Sequence, residues 1–362
     1  MTRRLLVVSN GYSEDLIAAQ ILRQLPEVDR VAYPLVGLGD GYPPDVARLG
    51  PRRVFPSGGF ALRTGMRGLW ADLRSGAIPF WVSQFRTLRR QRGRAMLALT
   101  IGDTYALMMA AQAGVPVVLV ATADSVRIRP FGALQYRALR RAQLVFTRDA
   151  ETAEALLRRD IAAVHAGTAS MDCLEFTGSD LGIPAGRPVV VLLPGSRGDA
   201  PANARLLAGV ADRVGWSRPE VSFIVPLADA VDERAVMTAL SAPQLVATRA
   251  FADALARATV VVGMAGTAHE QAAGLGKPVV AFPGPGPQFT PQFLHDQGRL
   301  LGDALVAVSS AAEAAEVVLR LLASPEERER RGRAGRERIG GPGATWRIAT
   351  TLRELLRDVT EG

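Results

Sequence analysis

The 362-residue chain contains one cysteine, Cys173. A single thiol excludes an intramolecular disulfide and a cysteine-built metal cluster, and it fits a reducing cytoplasm. Cys173 itself reads as a small buried apolar residue. The three histidines, His165, His269 and His295, are scattered without metal-ligand spacing. No metal and no other cofactor is therefore expected. Also missing is a run of ~18–20 apolar residues, the length a membrane-crossing helix needs. The longest candidates, Val115 to Ala121 and Val189 to Leu193, have the length of buried strands. The opening apolar run, Leu5 to Val8, ends at Ser9-Asn10-Gly11 without a cleavage-like site, so it is read as a first strand rather than a leader. There is no Gly-Lys-Ser/Thr ending of a Walker loop, which disfavours ATP hydrolysis, and no full G-x-G-x-x-G after the first strand, which disfavours a dinucleotide site.

What is present describes a globular protein of two domains. Apolar residues make up 48% and charged residues 22%, a balance that disfavours wholesale disorder. The net charge of +8 comes almost wholly from arginine, and it suits nucleic acid, anionic lipid or phosphorylated small molecules alike. Neither a recognition module nor a stacking motif for nucleic acid stands out, so that partner is not expected. Strand-like runs alternate with helical patterns from Leu5–Ser9 to Leu144–Thr147, then again from Val189–Leu193 to Val279–Phe282. Such alternation predicts parallel α/β sheets covered on both faces. The turn-rich stretch Gly178 to Gly186 separates the two series. The expected division is 1–178, 179–343, and a closing helix in 344–362.

Two segments interrupt the rhythm. Val54 to Arg94 interleaves Phe60, Leu62, Met66, Leu69, Trp70, Trp81 and Phe85 with Arg63, Arg67, Arg74, Arg86, Arg89 and further arginines. That mixture suits the headgroup layer of an anionic membrane, or else a helical pair packed on its own domain with arginines in water. The stretch Ser324–Arg338 reads as a charged, solvated helix.

Three turns carry candidate chemistry. Ser9-Asn10-Gly11-Tyr12-Ser13-Glu14-Asp15 follows the first strand and opens a helix, with Ser13 as its expected N-cap. The acids there argue against a phosphate, so Asn10, Gly11 and Glu14 are candidates for the acceptor side. Leu192 to Asp199 is a Gly-bearing turn aimed at a helix N-terminus, where Gly195, Ser196 and Arg197 could hold a diphosphate. Gly263 to Gln271 is a second such turn. It has small residues at Gly266, Thr267 and Ala268, with Thr267 as the expected cap, followed by His269, Glu270 and Gln271. Gln288, with Gln292, flanks Phe289-Thr290-Pro291, where amides could meet sugar or phosphate.

Leu192-Leu193-Pro194-Gly195-Ser196-Arg197 resembles the signature of lipid-A-disaccharide synthases, and Ala265-Gly266-Thr267-Ala268 resembles their donor loop. Over nearly its full length the chain looks most like the lipid-A-disaccharide-synthase-related proteins, through Ser9-Asn10-Gly11 with Glu14-Asp15, the Gly284 to Thr290 stretch and Gly341-Pro342-Gly343-Ala344. The resemblance implies an α/β chain of GT-B architecture, with two Rossmann-like domains facing a central cleft and a C-terminal helix crossing back to the first domain. It also implies an inverting, metal-independent glycosyltransferase moving a hexosamine-type sugar from a UDP-sugar to a lipid-linked acceptor. Asp103, in Thr100-Ile101-Gly102-Asp103, matches the region of the family's base and reads equally as the N-cap of the next helix. The family's ribose-binding Glu falls at Gln271, with Glu270 one residue earlier. Such a protein would sit in the cytoplasm, peripheral on the inner face of the membrane. Two alternatives remain open: a UDP-sugar 2-epimerase-type isomerase, and a non-catalytic nucleotide- or lipid-binding protein.

Overall fold

The structure is a computed structural model describing residues 4–54, 70, 73–196, 198–228, 231–240 and 245–361. The chain forms two compact units. Unit 1 comprises 1–173 together with 342–362, and unit 2 comprises 174–341.

Unit 1 is built on a seven-stranded sheet in the order β3-β2-β1-β4-β5-β6-β7. Its strands are β1 (Arg4–Ser9), β2 (Asp29–Pro34), β3 (Ala47–Arg48), β4 (Leu97–Gly102), β5 (Val117–Ala121), β6 (Leu144–Phe146) and β7 (Ala163–Val164). Every pairing is parallel, with Val7 of β1 opposite Ala32 on one side and Leu99 on the other. A parallel sheet covered on both faces needs apolar side chains at every strand position rather than at alternate ones. β1 meets this demand, sending Leu5 and Val7 to one core layer and Leu6 and Val8 to the other. The helices between the strands are α1 (Tyr12–Arg23), α2 (Ala77–Arg89), α3 (Thr104–Ala110), α4 (Ala133–Leu139) and α5 (Ala150–Leu157).

Unit 2 repeats the plan with six parallel strands in the order β10-β9-β8-β11-β12-β13. They are β8 (Val189–Leu193), β9 (Ser222–Pro226), β10 (Leu245–Thr248), β11 (Val260–Gly263), β12 (Val279–Ala281) and β13 (Leu305–Ala307). Its helices are α6 (Ala200–Ser217), α7 (Glu233–Ala239), α8 (Phe251–Arg257), α9 (Thr267–Gly274), α10 (Pro291–Leu301), α11 (Ala311–Ala323) and α12 (Pro325–Ile339). In both units the strand order reverses beside the first strand of the unit. Ligands of such sheets sit at that switch point, beyond the carboxyl ends of the strands.

The last helix, α13 (Ala344–Glu361), belongs to unit 1. Its apolar face places Ile348, Ala349, Leu352 and Leu356 in the same core layer as Ile17, Ala18, Ile21 and Leu22 of α1. Asp172 receives the start of this helix, accepting from Gly343 N at 2.5 Å and Thr345 N at 2.7 Å. No helix among the described residues is long and apolar enough to cross a membrane.

Several details depart from the sequence reading. Gly11, with φ 151°, holds the N-cap position of α1 without a side-chain bond, so the expected cap by Ser13 is not formed. Gly266 likewise precedes α9, and Thr267 is its first helical residue rather than its cap. The charged helix α12 is not solvated all round. Gly332 and Gly335 are buried, Gly335 closely approaching α9 and Gly332 the turn that follows it.

Candidate functional site

In unit 1 the polar groups gather beyond the ends of β1, β4 and β5. The Asn10 loop and the Asp103 loop touch there, since a Cβ on Gly102 would lie 2.8 Å from Cβ of Asn10. Only glycine fits that approach. Asp103 caps α3, its Oδ1 accepting from Ala106 N at 3.0 Å. Burial raises its pKa above the ordinary carboxylate value, the cap bond opposes this, and the negative charge of Asp124 adds to the rise. Thr104 Oγ1 donates to Asp124 Oδ2 at 3.2 Å, and Thr122 Oγ1 donates to Glu14 Oε1 at 2.9 Å. The expected acceptor-side residues Asn10, Gly11 and Glu14 thus stand in the same neighbourhood as Asp103. A shallow depression of about 340 Å³ is lined by Asp103, Thr104, Tyr105, Asp124, Leu134 and Gln135. A carboxylate with a raised pKa at such a depression has the character of a general base.

Behind this loop lies a buried group that the sequence did not announce. Asp15, 1% exposed, accepts from Ser9 Oγ at 2.5 Å. Its pKa is raised to about 7, chiefly by burial, with smaller contributions from Glu14 and Asp40 and an opposing one from Ser9. In the sequence it read only as an acid favourable to a helix start.

In unit 2 the two Gly-bearing turns converge at the switch point between β8 and β11. A Cβ on Gly263 would fall 2.2 Å from Leu193 O, and one on Gly195, whose φ is 97°, would fall 3.2 Å from Met264 O. The strand ends therefore sit backbone against backbone. Gly195 and Ser196 lead toward the amino end of α6, and Gly266, Thr267 and Ala268 lead into α9. Both helix starts direct partial positive charge to the same end of one sheet, as anion binding requires. Arg197 lies outside the described residues, as do Phe60, Leu62, Arg63, Met66, Arg67 and Leu69 of the basic-aromatic segment.

The remaining candidates divide by burial. Thr267 and Ala268 are partly exposed, whereas His269, Glu270 and Gln271 are buried. His269 is wholly covered, and neither ring nitrogen has a hydrogen-bond partner among the described residues. Burial lowers its pKa to about 3. Its ring meets Phe289 edge-on at 5.6 Å, and Phe289 in turn meets Phe293 at 5.3 Å. His269 is therefore a neutral, buried group packed edge-on against Phe289. Gln288 is exposed on the loop after β12, while Gln292 is tied within α10 to Asp296 Oδ1 at 3.0 Å. The sequence reading missed Asp124, Asp199 and Asn203. Asp124 lies just past the end of β5, whereas Asp199 and Asn203 lie at the start of α6. No group of three or more His, Cys, Asp or Glu side chains among the described residues could hold a metal ion.

Similarity searches place this geometry among known folds. No family model matches the chain, and no curated protein matches it. Solved structures do match over almost the whole chain. A structure described as an S. aureus MnaA-UDP complex matches with a TM-score of 0.67 at 12% identity, covering 98% of this chain and 97% of that one. UDP-GlcNAc 2-epimerase from Neisseria meningitidis, bound to UDP-GlcNAc, gives 0.61 at 16%, covering 97% and 100%. CalG4, the calicheamicin glycosyltransferase, gives 0.64 at 15%, covering 98% of each. The chain has the GT-B fold. Its neighbours of that fold include both 2-epimerases and glycosyltransferases, which do not specifically show a lipid-A-disaccharide-synthase-like assignment.

Proposed function

We propose that the chain is an enzyme of nucleoside-diphosphate-sugar chemistry: unit 2 offers a nucleotide site, and unit 1 offers carboxylates suited to proton transfer. The observation that carries this reading is the meeting of the Gly195 and Gly263 turns at the switch point of unit 2, each leading into a helix start. Asp103 is the base, and its raised pKa matches that task.

Two reactions fit this frame. Sugar 2-epimerisation is favoured over the transfer that the sequence suggested, because a proton must leave one face of a carbon and return to the other. Asp103 and Asp124 line one depression and so offer two proton-transferring groups, whereas inverting transfer needs one base. The 2-epimerases among the structural neighbours point the same way. Hexosyl transfer to a lipid-linked acceptor is the second reading, and helix α2 favours it. Ile78, Val82 and Phe85 are 58%, 42% and 37% exposed on one side of that helix, and Arg86 and Arg89 stand beside them. Such a face suits an anionic membrane surface on which a lipid substrate is presented.

Isothermal titration with UDP and UDP-N-acetylglucosamine, followed by product analysis, tests the reading. Binding of both, with the donor alone converted to a new sugar nucleotide, identifies the isomerase. Release of UDP only when a lipid acceptor is added identifies the transferase. Absence of UDP binding removes the nucleotide site and leaves the non-catalytic reading. Flotation with vesicles containing anionic lipid is expected to carry the protein, and Val82→Asp is expected to abolish this; equal flotation of both proteins counts against the α2 surface.

A further inference from the structure

The amino end of α6 carries a negative charge at the place where an anion-binding turn needs none. Asp199 occupies the N-cap position with helical backbone angles, φ −76° and ψ −14°, yet its side chain makes no capping bond. Its carboxylate faces the loop after β12 instead. Oδ2 accepts from Gln288 N at 3.3 Å, and a Cβ on Gly286 would fall 2.0 Å from the same oxygen. A second side chain of α6 faces that loop. Asn203, 4% exposed, donates from Nδ2 to Pro194 O at 2.9 Å, a carbonyl of the diphosphate turn itself. Its Oδ1 is buried without a hydrogen-bond partner among the described residues, and a Cβ on Gly284 would lie 2.5 Å from it. Gly284 N closes the loop onto Phe289 O at 2.9 Å, and Thr290 then caps α10.

These contacts join three segments. The turn at Pro194 is tied to Asn203, and the loop bearing Gln288 is packed against Asn203 and fastened to Asp199. A side chain at Gly284 or Gly286 would displace the Asn203 amide or the Asp199 carboxylate from the loop they face.

We propose that Asp199 is a positioning residue. Its carboxylate fastens the Gly284–Thr290 loop to the start of α6 and so fixes Gln288 beside the diphosphate turn, where its amide meets the sugar of the bound nucleotide. This rests on the nucleotide-sugar reading of unit 2. The arrangement has a built-in opposition. The charge that holds the loop also repels the phosphates that approach the same helix end, so recognition of the sugar is gained against affinity for the diphosphate.

The test is titration of the purified full chain and its variants with UDP and with UDP-N-acetylglucosamine, with thermal melting to confirm folding. Wild type is expected to bind the sugar nucleotide more tightly than UDP. Asp199→Asn keeps an oxygen acceptor for Gln288 N but removes the charge. It should bind UDP about fivefold more tightly, a shift of roughly 1 kcal/mol, while keeping the preference for the sugar nucleotide. Asp199→Ala should also gain UDP affinity but lose the preference, and Gln288→Ala should lose the preference alone. Gly286→Ala, whose Cβ would push apart the loop and the Asp199 carboxylate it faces, should abolish the preference.

The proposal is overturned if Asp199→Ala weakens both ligands equally, which is the behaviour of a merely structural residue. It is also overturned if wild type binds UDP but shows no preference for the sugar nucleotide. Failure of the wild type to bind UDP at all is a different result, since it removes the nucleotide site on which the proposal stands.

Discussion

Asp103 performs one role by its backbone-facing bond and is proposed to perform another by its proton, and one substitution separates them. Asn caps helices about as well as Asp. Asp103→Asn is therefore expected to keep the α3 cap and the melting temperature while lowering turnover by about 10²–10⁴-fold. Asp103→Ala should lose activity and, in addition, ~1 kcal/mol of stability from the missing cap. Equal turnover of wild type and Asp103→Asn would leave Asp103 as a cap alone. Its place was legible because a Gly-Asp pair ended a buried strand. Asp124 was not, because it lies beyond the end of β5 in a stretch with no periodicity. Asp15 was hidden for another reason: burial is a property of the folded chain, and a helix-start acid looks the same whether it faces water or Ser9. The burial of His269 escaped in the same way.

At the scale of elements, the central strands and the helix starts could be read directly, because a run of Val and Leu such as Val189–Leu193 has no other use in a globular domain. The edges could not. β3 and β7 are two residues each, Ala47–Arg48 and Ala163–Val164, too short to carry a pattern. Helix α12 shows a subtler failure. Its charges suggested a solvated rod, but its two buried glycines let it press on the backbone of α9 and of the turn that follows it. A Cβ on Gly335 would lie 2.3 Å from Ala273 O, and one on Gly332 the same 2.3 Å from Gly276 O. Carbonyl oxygens of a packed element cannot swing aside. Gly335→Ala is expected to cost about 1–3 kcal/mol by overpacking. It should also weaken UDP binding, because α9 begins at the Gly266 turn. A melting curve and a titration check both, and an unchanged affinity would uncouple α12 from the ligand turn.

For the molecule as a whole, two buried titratable groups give the units opposite responses to pH. The pKa of Asp15 is raised from 3.8 to about 7 in unit 1. Between those values the folded state holds a proton that the unfolded state has lost, so unit 1 loses stability as pH rises from about 4 to about 7. The pKa of His269 is lowered from 6.5 to about 3 in unit 2. There the unfolded state holds the extra proton, so stability present above pH 6.5 is lost as pH falls through that range. Hydrogen exchange at the core strand amides is expected to slow in β1 and quicken in β8 as the pH is taken from 7 to 5, after correction for intrinsic exchange. Asp15→Asn should flatten the first response and His269→Gln the second. Parallel changes in the two strands would count against both assignments. The two-unit plan itself was visible as a repeated alternation of strands and helices. The chemistry of the bound sugar was not, since neighbours of this fold include enzymes of both kinds.

The closing helix sets an order on synthesis. Unit 2 is one continuous stretch, 174–341, whereas unit 1 lacks α13 until 342–362 has followed it. While the chain is still growing on the ribosome, α1 and β1 therefore expose the surface that Ile348, Leu352 and Leu356 later cover. The unit whose residues emerge first is therefore the last to receive all the residues of its core.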